Sequence, residues 1–147
     1  MPPLWLPFLL SAVPLFEGRY AIPLALLLGL PLLPAYLLCT SVNLAVIPGV
    51  FWGMEAVVPR LRRRWGWVEG LFRFLGRKRL KRRHFVALFI FVALPVPGSG
   101  AYTGTVLAYL LGMRGGKTMI TLGLGVLTAN ALTSLAAGGL AWLAGVP

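Results

Sequence analysis

The chain is predicted to be an all-α integral membrane protein built from two inverted repeats, each a re-entrant helical hairpin followed by one transmembrane helix. Three observations predict it. Of its 147 residues, 59% are hydrophobic and 12% charged, with a mean hydropathy of +0.85, which leaves too little polar surface to cover a soluble core. Thirteen of the fourteen Lys and Arg residues lie between Arg60 and Lys117, with apolar sequence on both sides. The apolar blocks, at 4–16, 20–38, 41–58, 85–113 and 118–146, are unequal, and prolines, glycines or charges break them into pieces of different length.

Composition also excludes several classes. A net charge of +11 would suggest nucleic acid in a soluble protein, but most of it sits in one linker, where the positive-inside rule accounts for it, so no nucleic-acid partner is expected. Cys39 is the single cysteine, which rules out an intrachain disulfide, and no Cys or His cluster surrounds it. No metal or cofactor is expected. There is no Ser-His-Asp set, and Glu17 and His84 fall far apart in the expected topology, so the chain does not read as an enzyme. Residues 1–16 lack the basic start of a signal peptide and are broken by Pro2, Pro3, Pro7 and Pro14, so they are expected to be retained, with the N-terminus outside the cytoplasm.

The first repeat is expected over 1–58. Its first block is shorter than the roughly twenty apolar residues a crossing needs. A short arm therefore ends at Pro14, a polar tip follows at Glu17-Gly18-Arg19, and a second arm begins at Tyr20. Pro31 and Pro34 could end that arm early. The full crossing is placed at 41–58, and Glu55 near its cytoplasmic end is read as interfacial, able to reach headgroup water or to pair with the arginines of the linker.

Residues 59–84 are expected to form a basic cytoplasmic amphipathic linker. Leu61, Trp65, Val68, Phe72 and Leu75 follow helical spacing, with Arg62, Arg63 and Arg73 on other faces. Such a helix would lie on anionic headgroups, with Trp65 and Trp67 near the boundary. His84 reads as an interfacial polar residue.

The second repeat is expected over 85–147. Pro95-Val96-Pro97-Gly98-Ser99-Gly100 should end a helix near Leu94 and start another near Ala101. Charge then sets its course. Arg114 and Lys117 follow the block and the polybasic linker precedes it, so a single crossing would put positive charge on both faces of the membrane. A hairpin over 85–113 keeps that charge on one side. The last helix carries Gly125, Ala129, Thr133, Ala137 and Ala141, a ridge of small residues suited to close packing within the chain, which leaves a homodimer open.

Charges inside a membrane usually mark function, since burying them costs several kcal/mol each unless they pair or line a wet cavity. Glu17 and Arg19 are thus the leading candidate site, read as a pair across an irregular tip. The second tip supplies the complement, because Pro97, Gly98, Ser99 and Gly100 precede the half-helix starting at Ala101, whose free amides and positive end would face the midplane. With Arg19 these form an anion site. Tyr102 and Thr103 could add hydroxyls, Asn43 and Asn130 amides from the crossing helices, and Glu17 could exchange a proton as the anion comes and goes.

The strings Glu17-Gly18-Arg19-Tyr20-Ala21-Ile22-Pro23-Leu24 and Ala93-Leu94-Pro95-Val96-Pro97-Gly98-Ser99-Gly100-Ala101-Tyr102-Thr103-Gly104 resemble the small multidrug export protein family, a relative of the DedA membrane proteins. The resemblance covers most of the chain. It departs at Tyr20, where a small residue is expected and a ring could narrow the tip. The resemblance implies a transporter, and the DedA relatives imply proton-dependent membrane homeostasis and movement of phosphate-bearing lipids. The expected function is therefore transport of an anionic or phosphate-bearing lipid or solute in the cell membrane, coupled to protons. A non-transporting membrane scaffold is the alternative.

Overall fold

Proline and glycine punctuation cuts the apolar sequence into helices of two lengths. The computed structural model describes residues 5–13, 16–76, 82–96 and 98–143. They form α1 (Leu6–Ser11), α2 (Glu17–Leu27), α3 (Leu32–Arg64), α4 (Gly66–Gly76), α5 (Arg82–Ala93), α6 (Ala101–Leu110) and α7 (Gly116–Leu143). Among the described residues, α3 and α7 are the helices long and apolar enough to cross a membrane. At 33 and 28 residues and a 1.5 Å rise, they measure roughly 50 and 42 Å, beyond the roughly 30 Å of a hydrocarbon core.

Two of the short helices end by the same device. After α2, Gly29 takes φ +83 and the Leu30 amide donates back to Ala25 O at 3.0 Å; after α6, Gly112 takes φ +72 and the Met113 amide donates to Ala108 O at 2.9 Å. Glycine satisfies the last carbonyls by turning left-handed where other residues are strained. This terminates α2 at Leu27 and shifts the expected crossing. Pro31 is the N-cap of α3, and Pro34 lies in its first turn, where a missing amide has no helical partner to lose. Residues 32–38, expected in the second arm, therefore open the long helix, which was placed at 41–58.

That helix also runs past its expected end. Pro48 and Pro59 lie inside α3, which continues to Arg64 and breaks only at Trp65, whose backbone is extended at φ −128 and ψ 106. The linker stripe is rearranged as a result. Leu61 stays on α3, while Val68 and Phe72 turn toward the bundle and Phe72 meets the Tyr109 ring edge-on at 6.2 Å. Trp67, Leu71 and Phe74 form the exposed apolar stripe of α4, and Trp65 stacks on Trp67 at 6.0 Å. The Leu75 side chain lies outside the described residues.

The core forms where α5, α6 and α7 meet α3. Val92 is fully buried, and a Cβ at Gly125 would stand 2.8 Å from Val92 Cβ and 3.4 Å from Phe89 O, so α5 and α7 approach closely because position 125 has no side chain. Gly125 and Ala129 are thus used within the chain; the Ala141 side chain lies outside the described residues. Leu135, Leu140 and Trp142 of α7 and Trp52 of α3 stay exposed, as a lipid-facing surface requires.

Glu69 ties α4 to α3 by accepting from Arg62 Nε at 2.5 Å, and accepts within α4 from Arg73 Nε at 3.0 Å. Glu55, expected to be interfacial, lines a cavity of about 570 Å³ with Arg114 and Trp52. The hydrogen bonds from Arg62 and then Arg73 hold the Glu69 carboxyl down at about 2. Because that value is depressed, the link is complete above the carboxyl's unfolded value and is lost only as pH falls toward 2. Hydrogen exchange should therefore show the α4 protection factors constant between about pH 8 and pH 5, and severalfold lower in Glu69→Gln at neutral pH.

Candidate functional site: the junction of α2 with the α5–α6 turn

At residues 94–100 the chain leaves one helix and enters the next. The turn strands the last carbonyls of α5 and the first amides of α6 in apolar surroundings, where neither has a helical partner. Gly98 supplies the left-handed backbone at φ +84, and the Val96 amide donates to Leu94 O at 2.8 Å. The Ser99 hydroxyl bonds Leu94 O and Val96 O, both at 2.9 Å. The expected break between Leu94 and Ala101 is thus present.

Both stranded ends are met from α2. Arg19 donates through Nη2 to Val92 O at 2.7 Å and Ser99 O at 3.0 Å, and through Nη1 to Ser99 Oγ at 2.8 Å and to Val96 O. Glu17 accepts from the Ala101 amide on Oε2 and the Tyr102 amide on Oε1, each at 3.3 Å. A cation thereby sits on the negative end of α5 and an anion on the positive end of α6. Both side chains are largely buried, at 9% and 6% exposure.

This corrects two expectations. Glu17, Gly18 and Arg19 are not an irregular tip but the first turn of α2, and among the described residues no ion pair joins Glu17 to Arg19. Side chains two apart on a helix diverge, so the charges face different partners. Glu17 alone among the described non-glycine residues takes a positive φ, +45. A left-handed non-glycine residue costs about 1–3 kcal/mol, held in place here by its bonds to α6.

Gly18 lets α2 sit deep between the two long helices. A Cβ there would lie 2.7 Å from Asn130 Nδ2 and 2.8 Å from the Asn43 side-chain amide. In the orientation that satisfies both neighbours, Asn43 donates to Ser11 O at 2.7 Å and accepts from the Gly18 amide at 2.8 Å. Asn130 donates to Thr40 Oγ1 at 3.0 Å. Gly100 is the counterpart on α6, since a Cβ there would overlap the Glu17 carboxylate.

Of the sequence-predicted residues, Glu17, Arg19, Ser99, Gly100, Tyr102, Asn43 and Asn130 meet at this junction. The Tyr102 hydroxyl donates to Ala12 O and joins α1 to α6. Thr103 and Gly98 are exposed, and Pro97 lies outside the described residues. Tyr20 does not narrow the junction: it is half-exposed, packs edge-on against Phe16 at 6.3 Å, and with Arg19, Pro95 and Thr133 lines a cavity of about 310 Å³. Sequence reasoning missed Val92, Val96 and Ser11, which act through backbone carbonyls, and Thr40, which carries no charge to mark it. A hydroxyl among apolar residues was the available signal for Thr40 alone.

The family described as "Putative small multi-drug export protein" matches residues 17–132. The chain belongs to this family. The match begins at Glu17 and ends two residues past Asn130, so it contains both partners of the junction. No curated protein and no solved structure matches the chain. Among the described residues, no group of three or more His, Cys, Asp or Glu is placed to hold a metal ion.

Replacing Arg19 by Lys keeps the charge but substitutes a compact ammonium for a planar fork that reaches four acceptors. Arg19→Lys should lower stability by about 1–3 kcal/mol through buried carbonyls left unsatisfied, read as a fall in the thermal unfolding midpoint in detergent. An unchanged midpoint would show that the carbonyls do not depend on the guanidinium.

Proposed function

We propose that the chain is a proton-coupled membrane transporter for an anionic or phosphate-bearing lipid or small solute, with its site at the junction of α2 with the α5–α6 turn. The observation that carries this reading is the pairing of Arg19 and Glu17 with opposite helix ends at a break in the apolar sequence. Broken helices whose termini face buried charges are the means by which transporters hold ions within a membrane. The family description supports export.

In this reading the molecule is two inverted repeats over 1–58 and 85–147, joined by a basic cytoplasmic linker over 59–84. Helix order supports it: α1 and α2 precede the long α3, α5 and α6 precede the long α7, and α2 and α6 end in the same glycine turn. The pairs α1–α2 and α5–α6 are then re-entrant hairpins whose inner ends meet at the midplane. Gly98, Ser99, Gly100, Tyr102, Thr103, Asn43, Asn130 and Pro97 contribute to the substrate site beside Arg19. The exposed Trp67, Leu71 and Phe74 of α4, flanked by arginines, would rest on anionic headgroups.

Reconstituted in proteoliposomes with a proton gradient, Glu17→Gln and Arg19→Ala should each abolish uphill transport while the protein stays helical and monodisperse. Wild-type uphill transport by both would sink the site assignment. Topology is tested separately. Cysteines at positions 85 and 114 should label from the same side of the membrane; labelling from opposite sides would refute the hairpin and with it the inverted repeat.

A further inference from the structure

The groups that would bind a substrate anion are already bound to the protein itself. The first two amides of α6 are held by the two oxygens of Glu17, and Gly100 leaves open the space that this carboxylate fills. Arg19 is engaged by carbonyls and Ser99. A protonated Glu17 would keep one carbonyl oxygen as an acceptor but turn the other into a hydroxyl donor facing an amide that is itself a donor, and would bring no charge to the helix end. Arg19, two residues on from Glu17, lines a cavity of about 310 Å³ with Tyr20, Pro95, Leu132, Thr133 and Ala136, between α2, the turn and α7. Its volume is that of roughly ten waters, enough for a phosphate group.

We propose that Glu17 is a tethered anion holding the substrate position closed, and that a phosphate-bearing anion entering beside Arg19 takes its place on the α6 amides when Glu17 accepts a proton. This rests on the transport reading above and names its coupling step. Charge balances: the closed junction holds one carboxylate and one guanidinium, and the open junction holds a neutral acid, the guanidinium and one substrate charge. One proton therefore travels with each negative charge. Among the described residues, the titratable or charged groups around Glu17 are Arg19 and Tyr20 on α2 and Tyr102 on α6, while α3 and α7 present the amides of Asn43 and Asn130 and α1 the carbonyls of Ser11 and Ala12. Among the described residues Glu17 is the only acid at the junction, so one group carries the coupling.

The phosphate could arrive free in solution or on a lipid, and two probes separate these sources. Dimethyl phosphate and dioleoylphosphatidylglycerol are both diesters whose single charge does not change between about pH 5 and pH 8, so any pH dependence belongs to the protein. Wild type, Glu17→Gln and Glu17→Ala would be placed in phosphatidylcholine nanodiscs and titrated by calorimetry in buffers of different ionisation enthalpy. Wild type should bind more tightly as pH falls, taking up about one proton per anion. Both variants should bind about tenfold or more tightly than wild type near neutral pH, because the competent state no longer waits on a proton, and should take up none. Binding of dimethyl phosphate marks a solute site and binding of the lipid alone marks a headgroup site; either supports the proposal. If the variants bind with wild-type affinity and wild-type proton uptake, the tethered-anion role is overturned while the transport reading stands. If no form binds either probe at any pH, both are overturned. Matching unfolding midpoints for Glu17→Gln and wild type would exclude misfolding.

Discussion

The rest of the molecule depends on how the break between α5 and α6 is closed. A helix interrupted among apolar side chains leaves carbonyls on one side and amides on the other, and without water each costs free energy comparable to a lost hydrogen bond. Arg19 and Glu17 answer those two ends from a single turn of α2. Because both come from one rigid turn, α2 must stand at one depth and one rotation relative to α5 and α6, and other parts of the fold secure that position. Gly18 admits the amides of Asn43 and Asn130, Gly100 admits the carboxylate, and Tyr102 reaches Ala12.

The arrangement also separates two charges that adjacency would suggest are a pair. Had Glu17 and Arg19 neutralised each other, the site would be a closed staple with nothing to offer a ligand. Facing opposite helix ends, each charge is stabilised by dipoles and hydrogen bonds of a different segment. A change of protonation at one therefore alters the contact between α2 and α6 without breaking an ion pair on α2. The strained backbone of Glu17 fits this account, for a φ of +45 in a residue with a β-carbon persists only where tertiary contacts hold it.

Much of this was legible from local chemistry. Pro95 to Gly100 announced the break to within a residue, since proline removes a donor and glycine loosens the chain wherever they stand. Glu17 and Arg19 stood out because charge in an apolar run is costly in any fold. What was misread were boundaries that depend on neighbours. Pro59 lies inside α3, whereas Trp65, with no breaking propensity of its own, ends it. The stripe from Leu61 to Leu75 had good helical spacing, but the extended backbone at Trp65 moved Val68 and Phe72 onto Tyr109 and left Trp67, Leu71 and Phe74 outside.

The sequence by itself determined that the chain is an all-α membrane protein of the export family, where its apolar run is broken, and which charges lie inside it. Composition, proline and buried charge act through local energies that do not need a partner to be known. Only the tertiary structure decided that Arg19 addresses α5 while Glu17 addresses α6, and that Val92, Val96, Ser11 and Thr40 belong to the junction. The reason is that these are contacts between segments far apart in the chain, made largely through backbone atoms that every residue carries and that no sequence pattern marks.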